Sequence, residues 1–281
     1  MLAPLNTLAN QCRARRVGLG AFNVIHLENA EAIIAAAERT GLPVVLQISE
    51  NAVKFHQGNL EPLALATLAL AKKSRTQVVV HLDHAKDLGL IQQAIKLGFT
   101  SIMYDGSHLN DAENRATTAQ VAGWCRLRGV SLEAELGEVG GKDGAHAPGV
   151  RTNPADAKQF VADTGVDLLA VAVGSSHAMT TRNAALDLDL IHDLAQEVPV
   201  PLVLHGSSGV SDENMALAIQ AGMTKINVST HLNKVYTEAV RATLASNPGV
   251  VDTRKWTAPA SQTLSDEVAR LLTHYQSVPV N

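Results

Sequence analysis

Three histidines stand where short apolar runs give way to polar residues. They are His84 in HLDH (81–84), His177 in GSSH (174–177) and His205 in LHGSSG (204–209). Three imidazoles that leave a fourth position open form the donor set of a catalytic zinc site. The spacings fit no local zinc pattern, so the set has meaning only if a fold brings three distant chain positions together. Taken singly, each reads more simply as a loop or core histidine. The chain carries eleven histidines, more than its two Trp, three Tyr and four Phe combined. His81 lies inside the same run as His84. Strand alternation puts it on the face of Asp83, opposite His84, and leaves open which face would hold a metal. His26, His56, His108, His146, His192, His231 and His274 fall in helices or loops without comparable company.

A second pattern suits an anion. Gly206, Ser207 and Ser208 follow one apolar run, and Asn227, Ser229 and Thr230 follow the next. Small residues let backbone N–H groups approach a phosphate, and a helix N-terminus favours its charge. Ordinary turn and capping chemistry uses the same residues, and Ser211 with Asp212 and Glu213 reads as a plain N-cap. A third pattern is the Gly-rich stretch GEVGGKDGAHAPGV (137–150), long for a loop in a compact domain. Such loops often serve as lids, and Glu138, Asp143 and His146 are its acid–base candidates.

The elements that must position these groups alternate regularly. Apolar runs at 18–24, 43–49, 77–84, 100–107, 130–137, 166–174, 200–209 and 223–230 read as strands. Between and after them, 28–41, 60–74, 86–98, 110–129, 153–165, 187–198, 211–222 and 231–245 read as helices. Glycines at 41, 98, 129, 165 and 222 suggest left-handed helix ends. Alternating strands and helices imply parallel βαβ units, and eight of them fit a closed α/β (β/α)8 TIM barrel. A doubly wound open sheet is the structural alternative, but no GxGxxG turn follows the first strand. The tail adds a helix at 264–275, a C-terminal helical extension. In such a barrel the active site lies at the C-terminal strand ends, and the loops after strands seven and eight often bind phosphate. The polar residues at those ends include Asn23, Ser49, Asp83, His84, Asp105, Glu133, Glu135, His177, His205 and Asn227.

Composition bounds the rest. The 281 residues are 46% hydrophobic and 18% charged, with a formal net charge of −4. One barrel domain spanning 1–281 uses that length. A mildly acidic chain without a Lys/Arg run is a poor nucleic-acid binder. Two cysteines, Cys12 and Cys125, build neither a disulfide framework nor a Cys-based zinc cluster. The N-terminal segment places its charges after its apolar residues, the reverse of a signal peptide, and no run is apolar enough to span a membrane. A soluble cytoplasmic protein is expected.

With these residues assembled, the chain resembles the class II, metal-dependent ketose-bisphosphate aldolases of the fructose- and tagatose-bisphosphate type. The matching segments are AFNV (21–24), QISEN (47–51), HLDHA (81–85), IMYDGSHL (102–109), EAELGEVGG (133–141), TNPADAKQFVADTGVDLLAVAVGSSH (152–177), LVLHGSSG (202–209) and KINVST (225–230). The TNP and KINV segments resemble the tagatose-type branch more closely. The resemblance implies a catalytic zinc ion on His84, His177 and His205, with Glu135 and Asp105 as acidic groups of the metal site. It implies that Asp83 exchanges a proton with the C4 oxygen. Gly174, Gly206, Ser207, Ser208, Asn227, Ser229 and Thr230 would hold the dihydroxyacetone-phosphate end, accompanied by a monovalent cation (Na+ or K+). Asn23 and Ser49 would line the aldehyde side, and Arg254 in VDTRKW would meet the distal phosphate. The implied products are dihydroxyacetone phosphate and an aldehyde such as glyceraldehyde 3-phosphate. The implied assembly is a homodimer or homotetramer, with no nucleic-acid or membrane partner.

The sequence departs from that pattern in two places. Asp143 stands where the family usually has the loop Glu that moves a proton at the enediolate carbon, which leaves Glu138 as a second candidate. Ala178 replaces the usual Gly after the second histidine, and MTTRNA (179–184) lacks the usual Gly/Tyr/Pro character. Arg182 could compensate by binding an anion. These changes suggest another phosphorylated ketose or a keto-deoxy sugar-acid phosphate. Two rival readings remain: a Schiff-base aldolase using Lys225, and a non-catalytic phosphosugar-binding subunit.

Overall fold

Eight short strands pair in parallel, each with the next in the chain: β1 (Leu19–Asn23), β2 (Val44–Ser49), β3 (Val78–Ala85), β4 (Ser101–Tyr104), β5 (Ser131–Leu136), β6 (Leu168–Val171), β7 (Leu202–Leu204) and β8 (Met223–Val228). β8 returns to β1 with Ala21 opposite Asn227, and the barrel closes. This is a computed structural model, and it describes residues 1–136 and 151–277.

The helices among the described residues are α1 (Leu5–Arg15), α2 (Leu27–Thr40), α3 (Glu50–Phe55), α4 (Glu61–Lys73), α5 (Leu88–Leu97), α6 (Asp111–Arg126), α7 (Pro154–Thr164), α8 (Leu188–Glu197), α9 (Asp212–Ala221), α10 (Thr230–Ser246) and α11 (Arg254–Gln276). Several starts are written locally. The side chains of Asp87, Asn110, Asn153, Asp187 and Ser211 accept backbone N–H bonds at the first turns of α5, α6, α7, α8 and α9. Each such cap is worth about 1 kcal/mol. Gly41, Gly98 and Gly165 end their helices in the left-handed conformation, whereas α6 stops at Arg126 before reaching Gly129. No helix among the described residues is long and apolar enough to cross a membrane.

The expected (β/α)8 architecture with a C-terminal helix is the one observed. The structure adds α1 and α3, which the sequence pattern did not mark, and starts α11 at Arg254 rather than at 264. β6 and β7 are shorter than their apolar runs, because pairing between them ends at Ala170 and Val203. The chain beyond is released into the loops that carry His177 and His205.

Inside the barrel the residues sort by height. At the bottom, Leu5, Leu8, Ala9 and Cys12 of α1 pack with Leu19, Val45, Val79, Leu168 and Val203 as a plug. Burying each of those leucines is worth about 2 kcal/mol. Burial raises the thiols of Cys12 and Cys125 to about 11 and about 12, so both stay protonated. One layer up the interior turns polar: Gln47, His81, Ser101, Glu133 and Lys225 are all buried. Above them the strand ends open into a cavity.

Candidate metal centre and anion pocket

The cavity at the C-terminal strand ends encloses about 400 Å³. β1 and β2 supply Asn23, Gln47 and Ser49, and β3 supplies Asp83 and His84. The segment after β6 supplies His177 and Ala178. The chain after β7 supplies His205, Gly206 and Ser208, and β8 with the start of α10 supplies Asn227, Ser229 and Thr230. Ile25, Ala52 and Phe55 form an apolar edge on the side of β1 and β2.

Strict alternation would send Asp83 and His84 to opposite faces, yet both line the cavity. The backbone accounts for this. His84 takes φ +49°, and the pairing of β3 with β4 jumps from Leu82–Ile102 to Ala85–Tyr104. One extra residue on β3 is a bulge, a device that re-aims side chains beside active sites. Asp83 is buried, and its Oδ1 has no hydrogen-bond partner among the described residues.

The three candidate ligands converge. His84, His177 and His205 offer ring nitrogens that lie within 4.8 Å of one another. His84 Nε2 and His205 Nδ1 are 2.9 Å apart. The ring of His177 stands edge-on, 5.2 Å from that of His84 and 5.7 Å from that of His205. A second donor group shares His84, joining it to Asp105 and Glu135 within the same 4.8 Å span. Asp105 Oδ2 lies 3.1 Å from His84 Nδ1, on the side away from His205. Three imidazoles beside buried carboxylates have the donor chemistry for a divalent transition metal, so the residues present fit zinc.

Beneath the histidines lies a buried ionic layer. Glu133 Oε1 sits 3.0 Å from His205 Nε2, and Glu133 Oε2 sits 2.8 Å from Lys225 Nζ. Lys225 also donates to Asn227 Oδ1 at 2.8 Å, and Gln47 donates to Asn23 Oδ1 at 2.7 Å. His81 is 2.8 Å from Ser101 through Nδ1. Complete burial, then the nearby charge of Lys225, push the pKa of His81 well down, so it is neutral. His81 therefore belongs to the barrel interior, while its neighbours Asp83 and His84 serve the cavity.

The anion-type residues divide. Gly206, Ser208, Asn227, Ser229 and Thr230 line the cavity, while Ser207 turns inward and donates to Leu204 O at 3.0 Å. Gly174, with φ +114°, packs beside Ala185 O away from the cavity lining. Ser211 caps α9 as expected. Ser49 lines the cavity and also caps α3, accepting from Ala52 N at 3.1 Å. Arg182 lies outside the lining and is committed to Asp212 and to Val210 O. Arg254 is exposed at the start of α11 and paired with Asp252. Glu138, Asp143 and His146 fall outside the described residues. Ala178 takes φ +60°, a conformation a glycine adopts without strain.

Sequence reasoning passed over Gln47 as a site residue, and placed Glu133 among the polar residues at the strand ends without giving it a role. Period-two alternation held the signal for both: Gln47 shares a face with Ser49, and Glu133 shares one with Glu135. Asn51 lay in the matching segment QISEN without a role assigned to it, and Ile25, Ala52 and Phe55 carried no signal, because they reach the cavity from a turn and from α3.

Comparison with known proteins adds a family. The family model for class II fructose-bisphosphate aldolase matches residues 3–278. A probable fructose-bisphosphate aldolase of Bacillus subtilis (strain 168) is 36% identical over 270 residues, covering 95% of each chain. Among solved structures, the YdjI aldolase of Escherichia coli K12 superposes with a TM-score of 0.84 at 27% identity, covering 99% of this chain and 98% of its own. The fructose-bisphosphate aldolase of Campylobacter jejuni, at 21% identity, has the same barrel with a TM-score of 0.81, covering 100% of this chain and 97% of its own.

Proposed function

Because the chain belongs to the class II fructose-bisphosphate aldolase family, and so is an aldehyde-lyase, we propose that it is a zinc-dependent enzyme that reversibly cleaves a phosphorylated ketose of the fructose- or tagatose-1,6-bisphosphate type. The products are dihydroxyacetone phosphate and an aldehyde such as glyceraldehyde 3-phosphate. The carrying observation is the convergence of three distant histidines on one cavity, which Asp83 and the small-residue loops also line. The whole chain acts as one aldolase domain, soluble, cytoplasmic and homo-oligomeric.

His84, His177 and His205 hold the metal in this reading. A zinc ion there supplies Lewis-acid polarisation of the ketose oxygens. Asp83 accepts the C4 hydroxyl proton as the C3–C4 bond breaks, and returns it to the aldehyde oxygen in the reverse direction. Asn227 meets the substrate hydroxyls. Gly206, Ser208, Ser229 and Thr230 hold the phosphoryl group at the N-terminus of α10, with a monovalent cation beside them. Asn23 and Ser49 face the aldehyde half. Asp143 or Glu138, from the stretch 137–150, moves the proton at the three-carbon fragment.

Two observations bear on the rival readings. Lys225 is fully buried and held by Glu133 and Asn227, which does not suit an amine meant to attack a carbonyl. Ala178 at a glycine-type conformation, and an apolar edge of Ile25, Ala52 and Phe55 on the β1 and β2 side of the same cavity, favour another phosphorylated substrate within the family.

The test is an aldol-cleavage panel with and without chelator: fructose and tagatose bisphosphates, their monophosphates, and keto-deoxy sugar-acid phosphates. Chelator-sensitive cleavage of at least one is expected. Chelator-resistant activity trapped by borohydride would transfer the assignment to Lys225, and no cleavage of any would overturn the reading.

A further inference from the structure

Four charged side chains of alternating sign, Arg182, Asp212, Arg270 and Glu267, run on to His231 in one continuous chain behind the anion end of the cavity. Arg182, from the segment between β6 and α8, donates to Val210 O at 2.8 Å and pairs with Asp212 at the start of α9. Arg270 of α11 meets the other oxygen of Asp212 at 2.7 Å. One turn earlier on α11, Glu267 accepts both arms of the same Arg270, at 2.8 and 2.7 Å. Glu267 Oε1 then reaches His231 Nε2 at 2.6 Å. His231 completes the connection to the cavity, since its backbone N–H donates to Ser208 Oγ at 3.1 Å.

The position of these groups gives them a task. The loop after β7 and the first turn of α10 come from neighbouring strands, but the β-ladder has ended below both, at Leu204 and Val228. Above that height the bond between His231 and Ser208 ties the two together. Anion recognition by hydroxyls and backbone N–H groups depends on their directions, and misplacement of a binding group by about an ångström can cost around a hundredfold. Isolated exposed pairs contribute little, but here each member also fixes its neighbour, and Glu267 and His231 are mostly buried. His274 adds a further tie, with Nε2 2.9 Å from Asp212 O.

We propose that His231 and Glu267 are positioning residues for the phosphoryl group of the substrate, and that Arg270, Asp212 and Arg182 form the outer brace that holds them. Arg182 acts in this scheme as a brace rather than as a ligand. The inference rests on the aldolase reading only for the identity of the anion.

The experiment uses the full-length enzyme and compares Glu267→Ala, Glu267→Gln and Arg182→Ala with wild type. Each is assayed for KM and kcat on the cleaved ketose phosphate, and for inorganic phosphate binding by calorimetry. Glu267→Ala is expected to raise KM about tenfold and to weaken phosphate binding by a similar factor, with kcat changed by less than about threefold. Glu267→Gln keeps an acceptor for His231 and should restore most of the loss. A Glu267→Ala protein with lowered Tm but wild-type KM and phosphate affinity overturns the proposal. Should Glu267→Ala fail to fold, Arg182→Ala decides: a raised KM with little change in kcat supports the brace, and an unchanged KM overturns it. A wild type that cleaves no ketose phosphate defeats the functional reading alone, because the calorimetric comparison still judges the brace.

Discussion

His84 Nε2 and His205 Nδ1 lie 2.9 Å apart although 121 residues separate them in the chain. A carboxylate stands behind each ring. Asp105 is 3.1 Å from Nδ1 of His84, and Glu133 is 3.0 Å from Nε2 of His205. A carboxylate that accepts from one ring nitrogen fixes the tautomer and leaves the other nitrogen as a metal donor. Asp105→Asn and Glu133→Gln are therefore expected to weaken zinc binding about 10- to 100-fold, as read by chelator competition. Wild-type affinity in both variants would refute this arrangement.

Lys225 and Glu133 are both fully buried, with their charges 2.8 Å apart. Replacing Lys225 by Met strands the carboxylate in the barrel interior, and a loss of about 3–5 kcal/mol is expected in urea denaturation. The double variant Lys225→Met, Glu133→Gln should recover much of it, because no unpaired charge is left. Additive losses would show that the two side chains do not act as a pair.

Ala178 holds φ +60° at the cavity wall. The left-handed conformation costs a residue with a Cβ about 1–2 kcal/mol, and glycine's greater freedom when unfolded offsets part of the gain from removing it. Ala178→Gly should thus stabilise the protein by about 0.5–1 kcal/mol, and Ala178→Val should destabilise it. Equal midpoints for all three proteins in denaturant titration would contradict the strain.

Glu267 provides the pH dependence. Its partial burial works to raise its pKa, but hydrogen bonds from Arg270 and His231 outweigh that and bring the carboxyl from 4.5 to about 2. A carboxyl lowered in the folded state stabilises the fold in full above its unfolded value. The contribution drains as the pH falls from 4.5 toward about 2. Asp212, between Arg182 and Arg270, is shifted in the same direction despite its own burial. The stability gap between wild type and Glu267→Gln should therefore shrink as pH falls through this window. A gap that is constant with pH in urea titrations would rule the carboxyl out as its source.

Much of the scaffold was legible because its determinants are local. The eight apolar runs, the capping residues Asp87, Asn153 and Ser211 and the glycines after α2, α5 and α7 mark their own elements. α1 was not legible in the same way, since its apolar residues Leu5, Leu8 and Cys12 find their partners only in the floor of a closed barrel. β6 and β7 end early for a related reason: an apolar run records burial, while strand pairing depends on what the neighbouring strand offers.

The site divides along the same line. The sequence by itself determined the donor types, their attachment to strand ends, and the small residues of the two anion loops, because residue chemistry and strand periodicity are properties of a short stretch of chain. Only the tertiary structure decided that Asp83 and His84 share a face, since that depends on a bulge and a φ of +49°. It also decided that Glu133 rather than solvent stands behind His205, and that Arg182 answers Asp212 rather than the cavity. Those outcomes are pairings between groups far apart in the chain, and barrel closure selects which of them meet.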